Sequence, residues 1–305
     1  MKWGFLMGRK TIANQIHSSL ANKIAFGESK HIDKIEQEKK FGDSTYRIYS
    51  FDTYDTYRKV GKEYARWLAD KGVKYSKLAD TEHYAKEYLE SRLDSGKSLY
   101  TLKMERSALG MIYGHSLYIP LPVRHSEDVK RSRHETDNDK HISRTGKYKD
   151  VFTMVTATGC RRCDVKSLTV NSLIEKDGRY FLDIKQSKGG RDRFAPVLPD
   201  KVTEIKVIID RARENGQHKL FEHIPKEIDI HSLRREYAQA LYNTLKDNRS
   251  LRDEYLTHYP SRQEKVKSPY YKDREGNVFE RDTVWVVTNA LGHTRIDTSI
   301  TSYLK

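Results

Sequence analysis

Cysteines and long apolar runs are scarce in this sequence. The only cysteines among 305 residues are Cys160 and Cys163, so a disulfide framework is excluded and a reducing compartment is expected. No stretch approaches the ~20 apolar residues of a membrane-spanning helix, and Trp3-Gly-Phe-Leu-Met7 is too short for the core of a signal peptide. These absences predict a soluble, cytoplasmic protein with no membrane partner.

The two cysteines have the spacing of many zinc and redox sites, Cys160-x-x-Cys163. Zinc needs four ligands, and no second cysteine pair or nearby histidine pair stands at ligand spacing. A redox pair is expected at a helix start after a strand, whereas a helical pattern precedes this one. We therefore expect no metal or other cofactor, and we expect both cysteines to fill the interior.

Positive charge is in excess. Lysine and arginine number 57 against 43 acidic residues, which gives a formal charge of +14. Such a field attracts polyanions, and nucleic acid is the leading partner. The length suits two domains of about 100–200 residues each.

The hydrophobic patterns divide the chain into four segments. Residues 1–45 read as an N-terminal appendage whose amphipathic helix, 9–27, serves either for packing or as a small DNA reader. Residues 46–118 carry three helical patterns, and 119–147 form a basic linker. The second domain spans residues 148–305.

The linker has few apolar residues and many cations. It is either a solvated loop or a segment that lies along a DNA backbone. In the second case Arg131, Arg133 and Lys147 are candidate DNA contacts.

The second domain mixes helical and strand patterns. Helices are expected from Tyr148, near Arg161, after Pro199 and near His231, whereas alternation over 172–198 predicts a three-stranded antiparallel sheet. Residues 246–282 fit no clear pattern. The fold class is therefore mainly α with a small antiparallel β-sheet.

Several of these residues suit metal-free cleavage of a phosphodiester, which needs a nucleophile, cations for the phosphate oxygens and an acid for the leaving oxygen. Arg161 and Arg234 offer planar forks for phosphate. Tyr303 offers a phenol whose phosphate ester retains the bond energy for religation, so no ATP is required. Lys188, in a Gly-Gly turn, is the candidate acid, with Lys185 as the alternative.

Residues near these candidates could belong to the same site. Arg162 diverges from Arg161 by about 100° on a helix, so it is expected to face solvent or DNA. Asp164, three residues after Arg161, is expected to hold its guanidinium. His231-x-x-Arg234 places both side chains on one helical face. Other candidate nucleophiles are Tyr270 and Tyr271.

In this order, the motifs resemble the tyrosine recombinase (phage integrase) family: Ala157-Thr-Gly-Cys-Arg161-Arg-Cys-Asp164, Lys188-Gly-Gly-Arg191, His231-Ser-Leu-Arg234, Leu291-Gly-His293 and Tyr303. The resemblance covers about residues 46–303. It implies a two-domain, C-shaped DNA clamp with a helical, SAM-like core-binding domain and a mixed α/β catalytic domain.

The resemblance also implies roles for individual residues. Arg161 and Arg234 would bind the scissile phosphate, with His231 and His293 as acid, base or hydrogen-bond donor. Lys188 would protonate the 5′-oxygen, and Tyr303 would form the 3′-phosphotyrosine. Asp164 matches the acidic position after the first arginine, and Arg191 is a candidate DNA contact.

The implied partners are double-stranded DNA with specific recombination sites, a homotetramer on synapsed DNA, and accessory DNA-bending or directionality proteins. A bacterial, phage or mobile-element origin is suspected. Residues 247–283 look like an insertion, and only two residues follow Tyr303, which leaves little tail to couple protomers. Integration, excision, inversion and resolution stay open, as do a non-catalytic DNA-binding protein and a relaxing topoisomerase.

Overall fold

The computed structural model describes residues 10–40, 43–74, 76–123, 142–187, 191–260, 268–273 and 275–304, without the side chains of His31, Gln186 and Arg191. The chain divides into two compact units, residues 1–130 and 131–305. None of the helices in the described ranges is long and apolar enough to cross a bilayer.

Unit 1 is helical in its described part. Apolar side chains at three- and four-residue spacing turn one face of each long helix toward a common core. Its helices are α1 (Ile12–Ala21), α2 (Lys30–Glu36), α3 (Phe51–Asp70), α4 (Tyr84–Asp94) and α5 (Leu99–Tyr113).

Helix α1 belongs to the core of unit 1. Ile12, Ile16 and Leu20 are buried in one cluster with side chains of α3, α4 and α5. A Cβ at Gly61 of α3 would lie 2.6 Å from Ile16, so the glycine permits this close approach. The buried stripe agrees with packing, one of the two roles expected for this helix, because it closes the core.

Unit 2 combines helices with two small antiparallel sheets. Its helices are α6 (Lys149–Thr158), α7 (Arg162–Ser167), α8 (Val202–Glu214), α9 (Ile230–Asp247), α10 (Arg249–Thr257), α11 (Arg281–Ala290) and α12 (Ile296–Ser299), followed by a π-helical turn, Ile300–Leu304. Its strands are β1 (Leu173–Lys176), β2 (Arg179–Ser187), β3 (Arg191–Pro196), β4 (Tyr270–Lys272) and β5 (Val278–Glu280).

The sheet β1-β2-β3 confirms the prediction of three antiparallel strands. Leu182 and Ile184 of β2 face Ala195 and Arg193 of β3 in register. The three apolar side chains are buried in one cluster with α6 and α8, while Arg193 shares their inward face at 9% exposure. The mainly helical fold class with a small antiparallel sheet is confirmed.

The segment with no clear sequence pattern contains α10 and the hairpin β4-β5. Tyr255 of α10 packs edge-on against Phe181 of β2, with ring centroids 5.6 Å apart. The hydroxyl of Tyr259 donates to the carbonyl of Phe194 on β3 at 3.0 Å. The beginning of this segment therefore braces the three-stranded sheet.

Candidate active site

Three arginines meet at the C-terminal end of α11. The carbonyl of Ala290 accepts from Arg193, that of Leu291 from Arg234, and that of Gly292 from Arg161. The last carbonyls of a helix have no partner within the helix and carry the negative end of its dipole, so they attract cations. One helix end thus gathers three guanidinium groups.

Arg161 is the half-buried member of this group. It is the N-cap of α7 and has an extended backbone, which sends its side chain away from the helix. Its Nη1 donates to Ser187 Oγ at 3.0 Å and its Nη2 to the carbonyl of Gly292 at 3.1 Å. Hydrogen bonds thus fix both terminal nitrogens of Arg161, while the guanidinium stays partly open to solvent.

Arg234 is fully buried at 0% exposure. Its guanidinium donates to the carbonyls of Gly159 and Leu291, so it joins the end of α6 to the end of α11. Its Nε is buried without a hydrogen-bond partner in the described part of the protein. A buried donor of this kind is costly until an acceptor arrives.

Asp164 binds a partner different from the one expected. The carboxylate accepts from the backbone N–H of Arg161 at 2.9 Å, from Ser187 Oγ at 2.8 Å and from Nη2 of Arg193 at 2.7 Å. Asp164 therefore orients the backbone of Arg161, and its ion pair is with Arg193 instead of the Arg161 guanidinium. The expectation failed because Arg161 lies just outside the helix, where the three-residue spacing does not apply.

Arg193 and Ser187 were missed from the sequence. Arg193 could have been noticed because it precedes Ala195 and Val197 on the inward face of the strand alternation. A cation on that face needs buried acceptors. Ser187, at 4% exposure, gave no comparable signal.

His293 and Tyr303 lie against each other at the end of the chain. Their ring centroids are 5.4 Å apart, and Cζ of Arg234 lies 5.4 Å from the centroid of the Tyr303 ring. Tyr303 is 6% exposed. Nδ1 of His293 is 3.1 Å from Ser299 Oγ, which leaves Nε2 as the other nitrogen of the ring. The structure thus brings together Arg161, Arg234, His293 and Tyr303 from four separate motifs.

The electrostatics of the group favour an anion. Burial, Arg234 and Arg193 lower the pKa of Arg161 to about 10, against weaker opposing effects of Asp164 and Tyr303. Burial and the nearby cations Arg234, Arg161 and Arg193 lower the pKa of His293 to about 3. Burial would raise the pKa of Asp164, but Arg193 and the hydrogen bonds outweigh it, and that pKa is lowered. The site at neutral pH holds charged arginines, an ionised Asp164 and a neutral His293.

Two solved structures match the chain over nearly its whole length. XerH site-specific recombinase bound to palindromic difH substrate, a post-cleavage complex, is 14% identical, with 96% of this chain and 91% of that chain covered and a TM-score of 0.53. The pre-cleavage complex of XerH with difH substrate is 14% identical, with 99% and 95% covered and a TM-score of 0.51. The chain has the fold of a site-specific recombinase. No family model and no curated protein matches the sequence.

Within this recombinase fold, the remaining predicted residues lie in different environments. His231 is exposed at the start of α9 and contributes least of the named groups to the low pKa of His293, whereas Arg234 one turn later is buried. Lys147 is exposed and lies over the ring of Tyr148 at 5.6 Å. Tyr271, one of the alternative nucleophiles, lies on β4, and Cζ of Arg281 is 5.4 Å from the centroid of its ring.

Arg162 does not face solvent or DNA as expected. Its guanidinium donates to four carbonyls of one loop, those of Ile224, Pro225, Lys226 and Ile228. The fork ties α7 to the loop before α9. Arg162 is therefore a structural residue.

Several predicted site residues lie outside the part of the chain that the structure describes. Lys188, Arg131 and Arg133 are outside the described residues, and of Arg191 only the backbone, at the start of β3, is described. Lys185, the alternative acid, is exposed on β2 and pairs with Asp183 at 3.0 Å.

Both cysteines are free thiols. Cys160 is buried as expected, but Cys163 is exposed, so the prediction of two interior cysteines is wrong for the second. Cys163 lies in the first turn of α7, whose outer face is open. Among the residues that the structure describes, no group of three or more histidine, cysteine or acidic side chains could hold a metal ion.

Gly292 is the residue that lets the arginines approach the end of α11. Its φ of +67° is one that other residues rarely adopt. A Cβ at this position would lie 2.7 Å from Cδ of Arg193 and 3.0 Å from Nη1 of Arg161. A side chain here would therefore push apart the two guanidinium groups.

We expect Gly292→Ala to destabilise unit 2 more than Gly216→Ala. Both positions have nearly the same φ, +67° and +66°, but nothing lies within 4 Å of a Cβ at Gly216. The shared backbone strain costs on the order of 1–3 kcal/mol, and displacement of the arginines adds to it only at Gly292. Urea unfolding of both variants measures the difference, and equal losses would show that the arginines tolerate a methyl group.

His293 makes the stability of unit 2 depend on pH. Its pKa is about 3 in the folded protein against an ordinary 6.5, so below pH 6.5 the unfolded chain takes up the proton that the folded protein refuses. Stability therefore falls as the pH drops from about 6.5 toward 3, by at most about 1.4 kcal/mol per pH unit and less where solvent reaches the ring.

We expect His293→Gln to flatten this slope, as measured by urea unfolding at pH values from 7 to 4. His223→Gln, at an exposed position of the same unit, is the control and should keep the wild-type slope. Identical slopes for all three proteins would contradict a neutral, buried imidazole.

Proposed function

We propose that the protein is a tyrosine-type site-specific DNA recombinase that cleaves and rejoins DNA through a 3′-phosphotyrosine intermediate. The observation that carries the proposal is the contact of Tyr303 with Arg234 and His293 beside Arg161. These residues come from motifs as far apart as 161 and 303 in the sequence, and the fold of site-specific recombinases is independent support.

The arginines supply the binding site for the scissile phosphate. Arg161, Arg193 and Arg234 are cations, and Asp164 is the carboxylate that contacts one of them. Burial and the positive charges of Arg234 and Arg193 lower the pKa of Arg161. A phosphodiester would relieve this repulsion, and the planar forks of Arg161 and Arg234 suit its non-bridging oxygens. Charge that builds on the pentacoordinate phosphorus is then met by donors already in place.

Tyr303 is the nucleophile of the proposed reaction. Its phenolic oxygen forms a bond to the phosphorus while the bond from phosphorus to the 5′-oxygen breaks. The phenolic proton passes to a neutral imidazole, that of His293 or His231, and the 5′-oxygen takes a proton from Lys188. The phosphotyrosine conserves the ester bond energy, so attack by a 5′-hydroxyl rejoins the strand without ATP. No step requires a metal ion.

The substrate in this proposal is double-stranded DNA with specific recombination sites, gripped by a two-domain clamp. A homotetramer on synapsed DNA and accessory DNA-bending or directionality proteins complete the reaction. The positive charge of the chain supports the DNA partner, because each neutralised phosphate releases counterions.

Tyr303→Phe should abolish covalent attachment while DNA binding is kept, because only the hydroxyl is lost. The measurement is a denaturant-resistant protein–DNA adduct on nicked duplexes from the DNA that flanks the gene, with chelator present. Tyr270→Phe, on the exposed hairpin, is the control and should keep the adduct. An adduct in Tyr303→Phe would refute the nucleophile, and binding without an adduct in the wild type would favour a non-catalytic DNA-binding protein. Relaxation of any supercoiled plasmid would favour a topoisomerase.

Arg161→Ala should slow adduct formation about 10²- to 10³-fold, the effect typical of one lost donor to a developing oxyanion. Most DNA affinity should remain, because many other phosphates are contacted. Arg179→Ala removes a surface arginine of β2 that pairs with Glu254 of α10, and its adduct rate should stay at the wild-type value. An unchanged rate in Arg161→Ala would exclude this arginine from the phosphate site.

A further inference from the structure

Arg193 connects three elements of unit 2. It lies on β3 at 9% exposure, where its Nη2 donates to Asp164 Oδ2 at 2.7 Å and its Nη1 to the carbonyl of Ala290. Asp164 belongs to α7, and Ala290 is the last residue of α11. A single guanidinium therefore joins the strand to the helix that follows Arg161 and to the helix that precedes His293.

The geometry does not suit Arg193 as a phosphate ligand. The terminal nitrogens of Arg193, like those of Arg234, each donate to a protein acceptor, but Arg234 lies against the ring of Tyr303, whereas Arg193 binds Asp164 and Ala290. The N–H of Arg193 Nε is buried without a partner in the described part of the chain. A Cβ built on Gly292 would lie 3.1 Å from Nε, so the backbone of Gly292 covers this side of Arg193.

The strand that carries Arg193 is itself fixed by two tyrosines. The carbonyl of Phe194 accepts from the hydroxyl of Tyr259 at 3.0 Å, and the carbonyl of Pro196 accepts from that of Tyr237 at 2.8 Å. Tyr237 is fully buried on α9. The backbone of β3 near Arg193 is therefore held in place. The guanidinium can then keep Asp164 and Ala290 at a fixed separation.

We propose that Arg193 is a positioning residue for strand cleavage, which holds Asp164 and the end of α11 at a fixed separation and thereby sets Arg161 against His293. Asp164 holds the backbone N–H of Arg161 at 2.9 Å, and the loop after Ala290 reaches His293 within three residues. This inference rests on the proposed cleavage reaction, in which an error of about 1 Å at the phosphate costs on the order of 10²-fold in rate.

The test compares Arg193→Met and Arg193→Lys with Arg179→Met, a control on the same sheet. Single-turnover adduct formation on the nicked duplex is measured at saturating DNA, together with the dissociation constant for DNA. Arg193→Met is expected to slow the adduct step about 10²-fold with an unchanged dissociation constant, since Arg193 does not touch the phosphate. Arg193→Lys keeps the charge but not the two-pronged geometry, so a smaller loss is expected.

Two results would overturn the proposal: a wild-type rate in Arg193→Met, or a loss of DNA affinity that matches the loss of rate. The second would indicate a direct phosphate contact or a generally damaged site. If Arg193→Met does not fold, Arg193→Lys decides by the same criteria. Wild-type protein that forms no adduct would refute the proposed function. The pH dependence of unfolding would then show whether Arg193 pairs with Asp164.

The pairing of Arg193 with Asp164 has a readout that needs no activity. The groups that face Asp164 are the Arg161 backbone, the Arg193 guanidinium, the Ser187 hydroxyl and the thiols of Cys160 and Cys163. In the wild type the pKa of Asp164 is lowered, so its stabilising effect is present above its unfolded pKa and is lost as the pH falls through the folded value.

Without Arg193, burial would raise the pKa of Asp164, and the ionised carboxylate would destabilise the fold until it is protonated. The difference in unfolding free energy between the wild type and Arg193→Met should therefore narrow as the pH falls from 7 toward 4. A difference that does not change with pH would overturn the pairing on which the proposal depends.

Discussion

Unit 2 depends on a small set of backbone acceptors. The carbonyls of residues 290–292, at the end of α11, hold the guanidinium groups of Arg193, Arg234 and Arg161. Guanidinium groups that share one helix end repel each other, and burial adds a desolvation cost for each charge. The carbonyls and the negative end of the helix dipole offset part of that cost. The cations can therefore stay close together before any anion arrives.

In the proposed reaction, a site organised in this way binds the phosphate without reorganisation at the moment of reaction. Burial and the neighbouring arginine charges lower the pKa of Arg161 and also keep His293 neutral. Asp164 compensates one arginine and leaves the site positive. The neutral imidazole of His293 has an acceptor nitrogen beside Tyr303, which an imidazolium lacks.

Packing around the site explains why distant segments matter to it. The three-stranded sheet carries Ser187 and Arg193, and α10 and Tyr259 brace that sheet from the segment that had no clear pattern. Arg162 fixes the loop before α9, and His231 and Arg234 lie at the beginning of that helix. In unit 1, α1 completes the helical core. Each of these residues affects the candidate site or the stability of its unit by fixing the position of nearby backbone.

The sequence by itself determined what depends on local pattern, the mainly helical fold with a three-stranded sheet, because hydrophobic period and turn chemistry act over a few residues. The resemblance of its motifs, taken in order, predicted Arg161, Arg234, His293 and Tyr303 as parts of one site. The partner of Asp164, the contacts of Arg162 and Arg193 and the exposure of Cys163 were decided only by the tertiary structure. These depend on which backbone carbonyls come within reach of a side chain, and residues such as 193 and 290 meet only after the chain has folded.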